Sequence, residues 1–121
     1  MTRDDLQSKC RVDLATAHAV QIFLARLEGR FEVRHAILYG SRARGDFRPD
    51  SDADVALVLA GPPADRMAAT LAMADEAFDV LLATGIRISP KVVWESEWKR
   101  PETHPNPALM ASISRDGVAF T

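Results

Sequence analysis

Residues 38–59 read LYGSRARGDFRPDSDADVALVL, and this stretch decides the fold. An apolar run ends at Tyr39 and Gly40, a polar loop with Gly and Pro follows over 41–51, and a second apolar run begins just after Asp52. Apolar runs of this length are typical of strands buried on both faces. Eleven residues between the strands leave no room for a crossover helix. We therefore expect two antiparallel neighbours, with a helical turn directly after Gly40.

The rest of the chain supplies helices and a third long strand around this pair. The predicted elements are helix 12–27, strand 31–39, strand 52–60, helix 64–84, strand 86–94, a loop over 95–106, helix 107–116 and a short edge strand over 118–120. Pro90 favours an edge position for strand 86–94, because proline removes one donor from the hydrogen-bond ladder. This order predicts an α/β (α+β) fold, a mixed sheet of three to four strands flanked by helices. We expect a single domain over 1–121, with residues 1–11 as a frayed N-terminal segment.

The composition excludes several classes of protein. At 121 residues and 13.3 kDa the chain fits one domain, and 47% hydrophobic residues suffice for a core without staples. A net charge of −2 argues against non-specific wrapping of nucleic acid. A single cysteine, Cys10, excludes an intrachain disulfide, and a polar start excludes a standard signal peptide. We therefore expect a cytoplasmic protein without a membrane span or extended nucleic-acid binding.

Two aspartates and a glycine–serine pair concentrate the chemical signal. Asp52 and Asp54 alternate at the start of a strand, so their side chains leave the same face roughly 6.6 Å apart. A divalent cation can bridge such a pair, and Mg²⁺ prefers one or two carboxylates together with water and substrate phosphates. Gly40 lets the backbone pass close to a ligand, and Ser41 offers a hydroxyl and an N–H to a phosphate oxygen.

Two other motifs with similar residues do not fit. An EF-hand loop starting at Asp50 needs glycine where Val55 stands and glutamate where Gly61 stands. A P-loop starting at Gly40 needs lysine where Asp46 stands. Calcium sensing and a Walker-type ATPase are therefore excluded.

The set Gly40-Ser41, ten intervening positions and Asp52-Ala53-Asp54 resembles the signature of the nucleotidyltransferases of the DNA polymerase β superfamily. The chain resembles in particular the minimal nucleotidyltransferases, small prokaryotic proteins often paired with a HEPN-domain partner. The resemblance implies that Gly40 and Ser41 hold a nucleoside triphosphate, that Asp52 and Asp54 ligate Mg²⁺ or Mn²⁺, and that Arg44 contacts the pyrophosphate. It also implies transfer of an NMP, AMP from ATP first, to a hydroxyl of a partner protein. The resemblance further implies that the partner is a HEPN-type toxin with an acceptor tyrosine and that the chain is its antitoxin.

The sequence departs from the family pattern at one place. The family has a third carboxylate on the strand after the second helix, but 86–94 contains no Asp or Glu. Glu95 and Glu97 follow that strand and are candidates for the missing acid, as is an acid from another chain. Without a third acid, the alternative function is a non-catalytic nucleotide-binding or partner-binding antitoxin. A small antibiotic-modifying adenylyltransferase is a third interpretation, and a homo-oligomer is compatible with all three.

Overall fold

A computed structural model of the chain describes residues 7–8 and 11–121. In chain order the elements are β1 (Gln7–Ser8), α1 (Leu14–Leu27), β2 (Val33–Tyr39), α2 (Ser41–Arg44), β3 (Ala53–Leu59), α3 (Arg66–Thr84), β4 (Ile88–Trp94), α4 (Glu95–Lys99), a 3₁₀ turn (Pro101–Thr103), α5 (Pro107–Asp116) and β5 (Val118–Ala119).

The strands form one mixed sheet in the order β1-β5-β2-β3-β4. Strands β2 and β3 are antiparallel, with Tyr39 opposite Asp54. Strands β3 and β4 are parallel, with Asp54 beside Ser89. Strand β5 pairs antiparallel with β2 and parallel with β1. In this register the start of β3 lies beside the end of β2, next to Gly40.

Strand β3 is buried on both faces, which explains its unbroken apolar sequence. Val55 and Leu57 pack into a core with residues of α1 and α3, among them Phe23 and Met73. Ala56 and Val58 pack on the opposite face with residues of α4 and α5, among them Trp98 and Ile113. The sheet is thus the middle of three layers, and the site residues lie at one end of it.

Local capping signals fix the ends of the long helices. The Asp13 carboxylate accepts the Thr16 N–H at 3.0 Å before α1, and Asp65 accepts the Ala68 N–H at 2.9 Å before α3. Gly85 ends α3 in the left-handed conformation, with φ of 79°. Each side-chain cap contributes about 1 kcal/mol to helix stability.

The main features of the predicted fold are confirmed. The sheet is mixed and flanked by helices, β2 and β3 are antiparallel neighbours, and α2 is the helical turn expected after Gly40. Pro90 lies in β4, which stands last in the sheet order of the described residues.

Two local predictions were wrong. The segment 95–106, expected to be a loop, contains α4 and the 3₁₀ turn. Helix α4 forms because the Glu97 carboxylate accepts the Trp94 N–H at 2.9 Å and Trp98 is buried in the core. The C-terminal strand is not at the edge, because β5 lies between β1 and β2.

The N-terminal segment is described only in part. Residues 1–6 and 9–10 of the predicted frayed segment lie outside the described residues, whereas Gln7 and Ser8 pair with β5. The single-domain assignment stays a prediction. None of the helices in the described part of the chain combines the length and hydrophobicity that a membrane span needs.

A buried arginine holds the loop between α2 and β3. Arg42 is only 4% exposed, and its guanidinium donates to the Ser51 carbonyl at 2.8 Å, the Pro49 carbonyl at 3.1 Å and the Thr16 hydroxyl at 2.8 Å. It also lies 4.5 Å from the centre of the Phe47 ring. One side chain therefore ties the loop to α1 and closes it over α2.

We expect Arg42→Ala to destabilise the protein by about 3 kcal/mol, because it leaves two carbonyls and a hydroxyl without their charged donor. Arg42→Lys should recover only part of this loss, since an ammonium cannot reproduce the planar fork. Urea unfolding followed by circular dichroism measures both effects.

The matched control is Arg48→Ala, which removes an exposed arginine from the same loop. Its free energy of unfolding should change by less than about 0.5 kcal/mol. Equal losses in the Arg42 and Arg48 variants would contradict the role given to Arg42.

Candidate functional site

The site is built around a close contact between Gly40 and Asp54. Gly40 joins β2 to α2 with φ of 77° and ψ of −158°, a region of backbone conformation that is essentially restricted to glycine. A Cβ atom at this position would lie 2.5 Å from Oδ2 of Asp54. The backbone at Gly40 therefore touches the carboxylate directly, and both the conformation and the lack of a side chain are required.

Asp54 is a carboxylate in a partly apolar setting. Burial and the nearby charge of Asp52 raise its pKa above the ordinary value, while Lys91 and Arg44 act in the opposite direction. Asp52 itself is exposed, just before β3 begins. The protein alone therefore leaves the negative charge of this pair incompletely balanced.

Tyr39 faces Asp54 across the β2–β3 ladder and is buried. Burial and the charge of Asp54 raise the pKa of the Tyr39 phenol, so it remains protonated at neutral pH. It belongs to the core cluster beneath α5.

Arg44 is oriented by a buried acid from the far end of the chain. Its Nη1 donates to Oδ2 of Asp116 at 2.8 Å, and its Nε donates to Asp46 at 3.2 Å. Hydrogen bonds from Arg115 and Arg44 hold the pKa of Asp116 below its usual range, so this acid stays charged. These two contacts hold the Arg44 guanidinium in place. Because the side chain is still 41% exposed, the guanidinium stays accessible to an anion.

Strand β4 presents Ser89 and Lys91 beside the aspartates. Ser89 is the register partner of Asp54, and Lys91 lies opposite Ala56, two residues further along the same face. Lys91 is exposed and lowers the pKa of Asp54. Over the described ranges, no cluster of three or more His, Cys, Asp or Glu side chains is placed to hold a metal. The neighbouring strand therefore contributes a hydroxyl and a cation to this face.

Glu95 and Glu97 are not the missing acid. Both follow the carboxyl end of β4, which lies beside Leu59, whereas Asp54 is near the start of β3. Five residues of strand separate the two levels, on the order of 16 Å. Glu97 is buried and pairs with Arg66 at 2.5 Å, while Glu95 lies 3.6 Å from Arg34. These acids stabilise the opposite end of the sheet.

The donor set fits a magnesium ion held together with a nucleotide. Asp52 and Asp54 lie close enough to interact, because the charge of Asp52, after burial, is the second cause that raises the pKa of Asp54. Mg²⁺ binds such a pair readily when phosphates and water complete its shell. Gly40 is the N-cap of α2, and backbone N–H groups at the start of a helical turn can bind phosphate oxygens.

Sequence reasoning found five residues that the fold gathers near this end of the sheet: Gly40, Ser41, Arg44, Asp52 and Asp54. It missed the buried role of Arg42 and the contact of Asp116 with Arg44, which spans 72 positions in sequence. Lys91 carried one available signal, since it alternates with Ser89 on a strand that pairs with Asp54 in parallel.

The chain matches one family of known proteins. Residues 23–89, more than half of the chain, match the family described as Polymerase beta, Nucleotidyltransferase. No curated protein matches the chain by sequence at a significant level.

Two solved structures are similar to this chain to different degrees. One is a protein from Sulfolobus solfataricus assigned as a nucleotidyltransferase, with 19% identity, a TM-score of 0.48, and coverage of 87% of this chain and 78% of that one. The other is a chain in a toxin–antitoxin crystal structure with AMP-PNP, with 15% identity, a TM-score of 0.54, and coverage of 87% and 72%. At this identity the second likeness shows a shared fold. From the family match over 23–89, this chain belongs to the Polymerase beta nucleotidyltransferase family.

Proposed function

We propose that this protein is a Mg²⁺-dependent nucleotidyltransferase that moves AMP from ATP to a hydroxyl group of a partner protein. The observation that carries the proposal is the packing of the Gly40 backbone against Asp54, with Asp52 and Arg44 within electrostatic range of that carboxylate. This arrangement offers a backbone turn for phosphates beside a carboxylate pair for a metal.

Each residue has a distinct task in this proposal. Gly40 and Ser41 bind the triphosphate through the backbone and a hydroxyl, and Arg44 contacts the β- and γ-phosphates. Asp52 and Asp54 would hold Mg²⁺, which supplies charge neutralisation for the reacting phosphate when it is bound. The acceptor oxygen forms a bond to the α-phosphorus, the bond to the bridging oxygen breaks, and pyrophosphate leaves. The hydroxyl proton passes to water, since β4 offers no carboxylate beside Asp54.

We further propose that the acceptor belongs to a HEPN-type toxin and that this chain is its antitoxin. The fold shared with a chain of a toxin–antitoxin structure solved with AMP-PNP supports this assignment. The net charge of −2 favours a protein acceptor over a long nucleic acid.

A second candidate function is neutralisation of the partner by binding without transfer. Ser89 and Lys91 favour it, because they lie on β4 where the family has its third carboxylate. The two functions differ in one property. Only the enzyme needs its aspartates to suppress the partner.

Asp52→Asn should lower the rate of AMP transfer by about 10²-fold or more, because it removes a carboxylate from the proposed metal site. The measurement is intact mass spectrometry of the protein mixed with ATP, Mg²⁺ and its partner, in which an AMP-sized increment reports transfer. Asp50→Asn, an exposed acid two residues earlier, is the control and should transfer normally. If Asp52→Asn still adds AMP, the proposed site is wrong. If no variant transfers but all suppress the partner, the binding function holds instead.

Asp54→Asn should raise the melting temperature at pH 7 by about 2 °C while abolishing transfer. The pKa of Asp54 is higher in the folded than in the unfolded state, so its ionised form opposes folding above that pKa. The contribution of Asp54 to the stability of the wild type should accordingly become less unfavourable as pH falls through its folded pKa, so the difference between wild type and variant should shrink. Differential scanning calorimetry from pH 4 to pH 8 tests both statements, because a carboxyl group with a raised pKa titrates above about pH 4. A lower melting temperature for the variant at pH 7 would show that Asp54 is stabilised, not strained, by its surroundings.

Gly40→Ala should weaken ATP binding at least about tenfold, because the new methyl group meets Oδ2 of Asp54 at 2.5 Å and the backbone must leave its positive φ. Gly45→Ala is the matched control, since Gly45 also has a positive φ, 92°, but has no atom within 4 Å of its Cβ position. Isothermal titration with a non-hydrolysable ATP analogue and Mg²⁺ compares the two. Equal losses would mean that backbone strain alone, and not contact with Asp54, sets the nucleotide affinity.

A further inference from the structure

A buried acid joins two arginines from distant parts of the chain. Asp116 is the last residue of α5 and is only 5% exposed. Its Oδ2 accepts hydrogen bonds from Nη1 of Arg44 at 2.8 Å and from Nη2 of Arg115 at 3.1 Å. Its Oδ1 accepts a further hydrogen bond from Nε of Arg115 at 3.1 Å. Both guanidinium groups therefore contact the same oxygen atom, and we name Arg44 and Arg115 the arginine pair.

The arginine pair lies at the end of the sheet that carries the proposed metal site. Arg44 is the last residue of α2, which begins directly after Gly40. Helix α5 ends at Asp116, and the strand that follows it, β5, pairs with β2 at Leu38, two residues before Gly40. Burial raises the pKa of Asp54, and the charge of Arg44 is near enough to act against that rise. The fold thus brings the pair and the aspartates into electrostatic range of each other.

One buried carboxylate does not need two arginines. Arg44 alone would neutralise Asp116, and Arg115 brings a second positive charge to the same oxygen atom. Asp116 raises the pKa of the Arg115 guanidinium, and the charge of Arg44 acts against this rise, because the two cations repel each other. Like charges that are held together at a surface attract ions of opposite sign. The excess positive charge of the pair therefore favours an anion.

The other acid beside the pair is held weakly. Asp46 accepts a hydrogen bond from Nε of Arg44 at 3.2 Å, but its side chain is 63% exposed. An ion pair this exposed contributes little, since water screens it and both side chains lose freedom in forming it. A phosphate group with more negative charge than one carboxylate can therefore replace Asp46 beside Arg44.

The arginine pair keeps enough free donors for phosphate oxygens. A guanidinium has five N–H groups. Arg44 uses two of them, for Asp116 and Asp46, and Arg115 uses two, both for Asp116. Within the part of the chain that the structure describes, the other three N–H groups of each arginine have no partner, and the side chains are 41% and 67% exposed. Guanidinium groups with free, exposed N–H groups suit the oxygens of phosphate, which they bind in pairs.

Stabilisation of a helix end does not explain the whole arrangement. Cations near the C-terminal end of a helix are favourable, because the last carbonyl groups carry partial negative charge. Arg115 lies in the last turn of α5 and fits this role. Arg44 comes from α2, however, and the acid that holds both arginines is buried. The arrangement therefore fixes two cations relative to each other and leaves their outer sides open.

The nucleotide of the proposed reaction has two phosphates for such a site. The α-phosphate is the group that reacts, so it belongs beside Asp52 and Asp54. The β- and γ-phosphates carry most of the negative charge of the triphosphate and leave together as pyrophosphate. Two cations fixed side by side match two linked phosphates better than they match a single carboxylate.

We propose that Arg115 binds the β- and γ-phosphates of the nucleoside triphosphate together with Arg44, and that Asp116 positions both arginines. The inference rests on the proposed function, because it assigns the arginine pair to the substrate of that reaction. Arg115 and Asp116 lie outside residues 23–89, which match the family, so the assignment comes from the contacts of this chain.

Isothermal titration of the full chain in Mg²⁺, with a non-hydrolysable ATP analogue and with AMP, tests the proposal. Arg115→Gln should weaken binding of the ATP analogue at least about tenfold and leave binding of AMP unchanged, because AMP has no β- or γ-phosphate. Arg115→Lys should recover part of the loss, since it keeps the charge but not the planar fork. The matched control is Arg34→Gln, which removes an exposed arginine paired with Glu95 near the other end of β2 and should not alter binding.

The two titrations separate a binding role from a structural one. Equal affinity of the wild type and Arg115→Gln for the ATP analogue would overturn the inference and leave the proposed function intact. An equal loss of affinity for the analogue and for AMP would also overturn it, because damage to the fold affects both ligands. Thermal unfolding followed by circular dichroism should be unchanged in Arg115→Gln, since Asp116 keeps Arg44 as its charged donor.

Inorganic pyrophosphate separates the arginine pair from the rest of the nucleotide site. The wild type should bind pyrophosphate in Mg²⁺, and Arg115→Gln should weaken this binding at least about tenfold. A wild type that binds pyrophosphate through Arg115 but binds no ATP analogue would contradict the proposed function, and with it the assignment of the pair to a nucleotide. A wild type that binds the analogue but no pyrophosphate would contradict the role of the arginine pair alone.

Discussion

The contact between the Gly40 backbone and the Asp54 carboxylate is the constraint on which the rest of this structure depends. It requires a residue without a side chain in a conformation that glycine alone adopts readily. It also requires β2 and β3 to pair in the register that sets Tyr39 opposite Asp54. A shift of one residue would turn Asp54 to the other face of the sheet and bring an apolar side chain to the glycine.

The two faces of the sheet meet different demands. The face beneath α1 and α3 is a continuous apolar core, whereas the face beneath α4 and α5 gives way to polar residues at the end that carries Asp54. There the protein accepts a half-buried carboxylate beside another acid, and the charge is costly to the fold. Arg42 offsets this weakness by tying the neighbouring loop to α1, so that the region remains ordered without an ion pair at its centre.

The parts of the fold that the sequence predicts correctly are those with local causes. Helical periods and the apolar run of β3 act over a few positions, as does the helical turn after Gly40. The parts it misses depend on contacts between distant segments. In the sequence, Arg42 and Glu97 look like charged loop residues. In the fold, Arg42 donates a hydrogen bond to Thr16, and Glu97 accepts one from Arg66. Contacts between residues far apart in sequence cannot be predicted from composition or local spacing.

Strand β4 is the last strand in the sheet order of the described residues. Pro90 and the exposed Lys91 are adjacent residues in the middle of this strand. Proline interrupts the row of backbone donors that another extended chain would need to pair with this edge. Pairing would also desolvate the charged side chain of Lys91, which is unfavourable. The same two residues that interrupt the edge therefore protect the protein from growing strand by strand into aggregates.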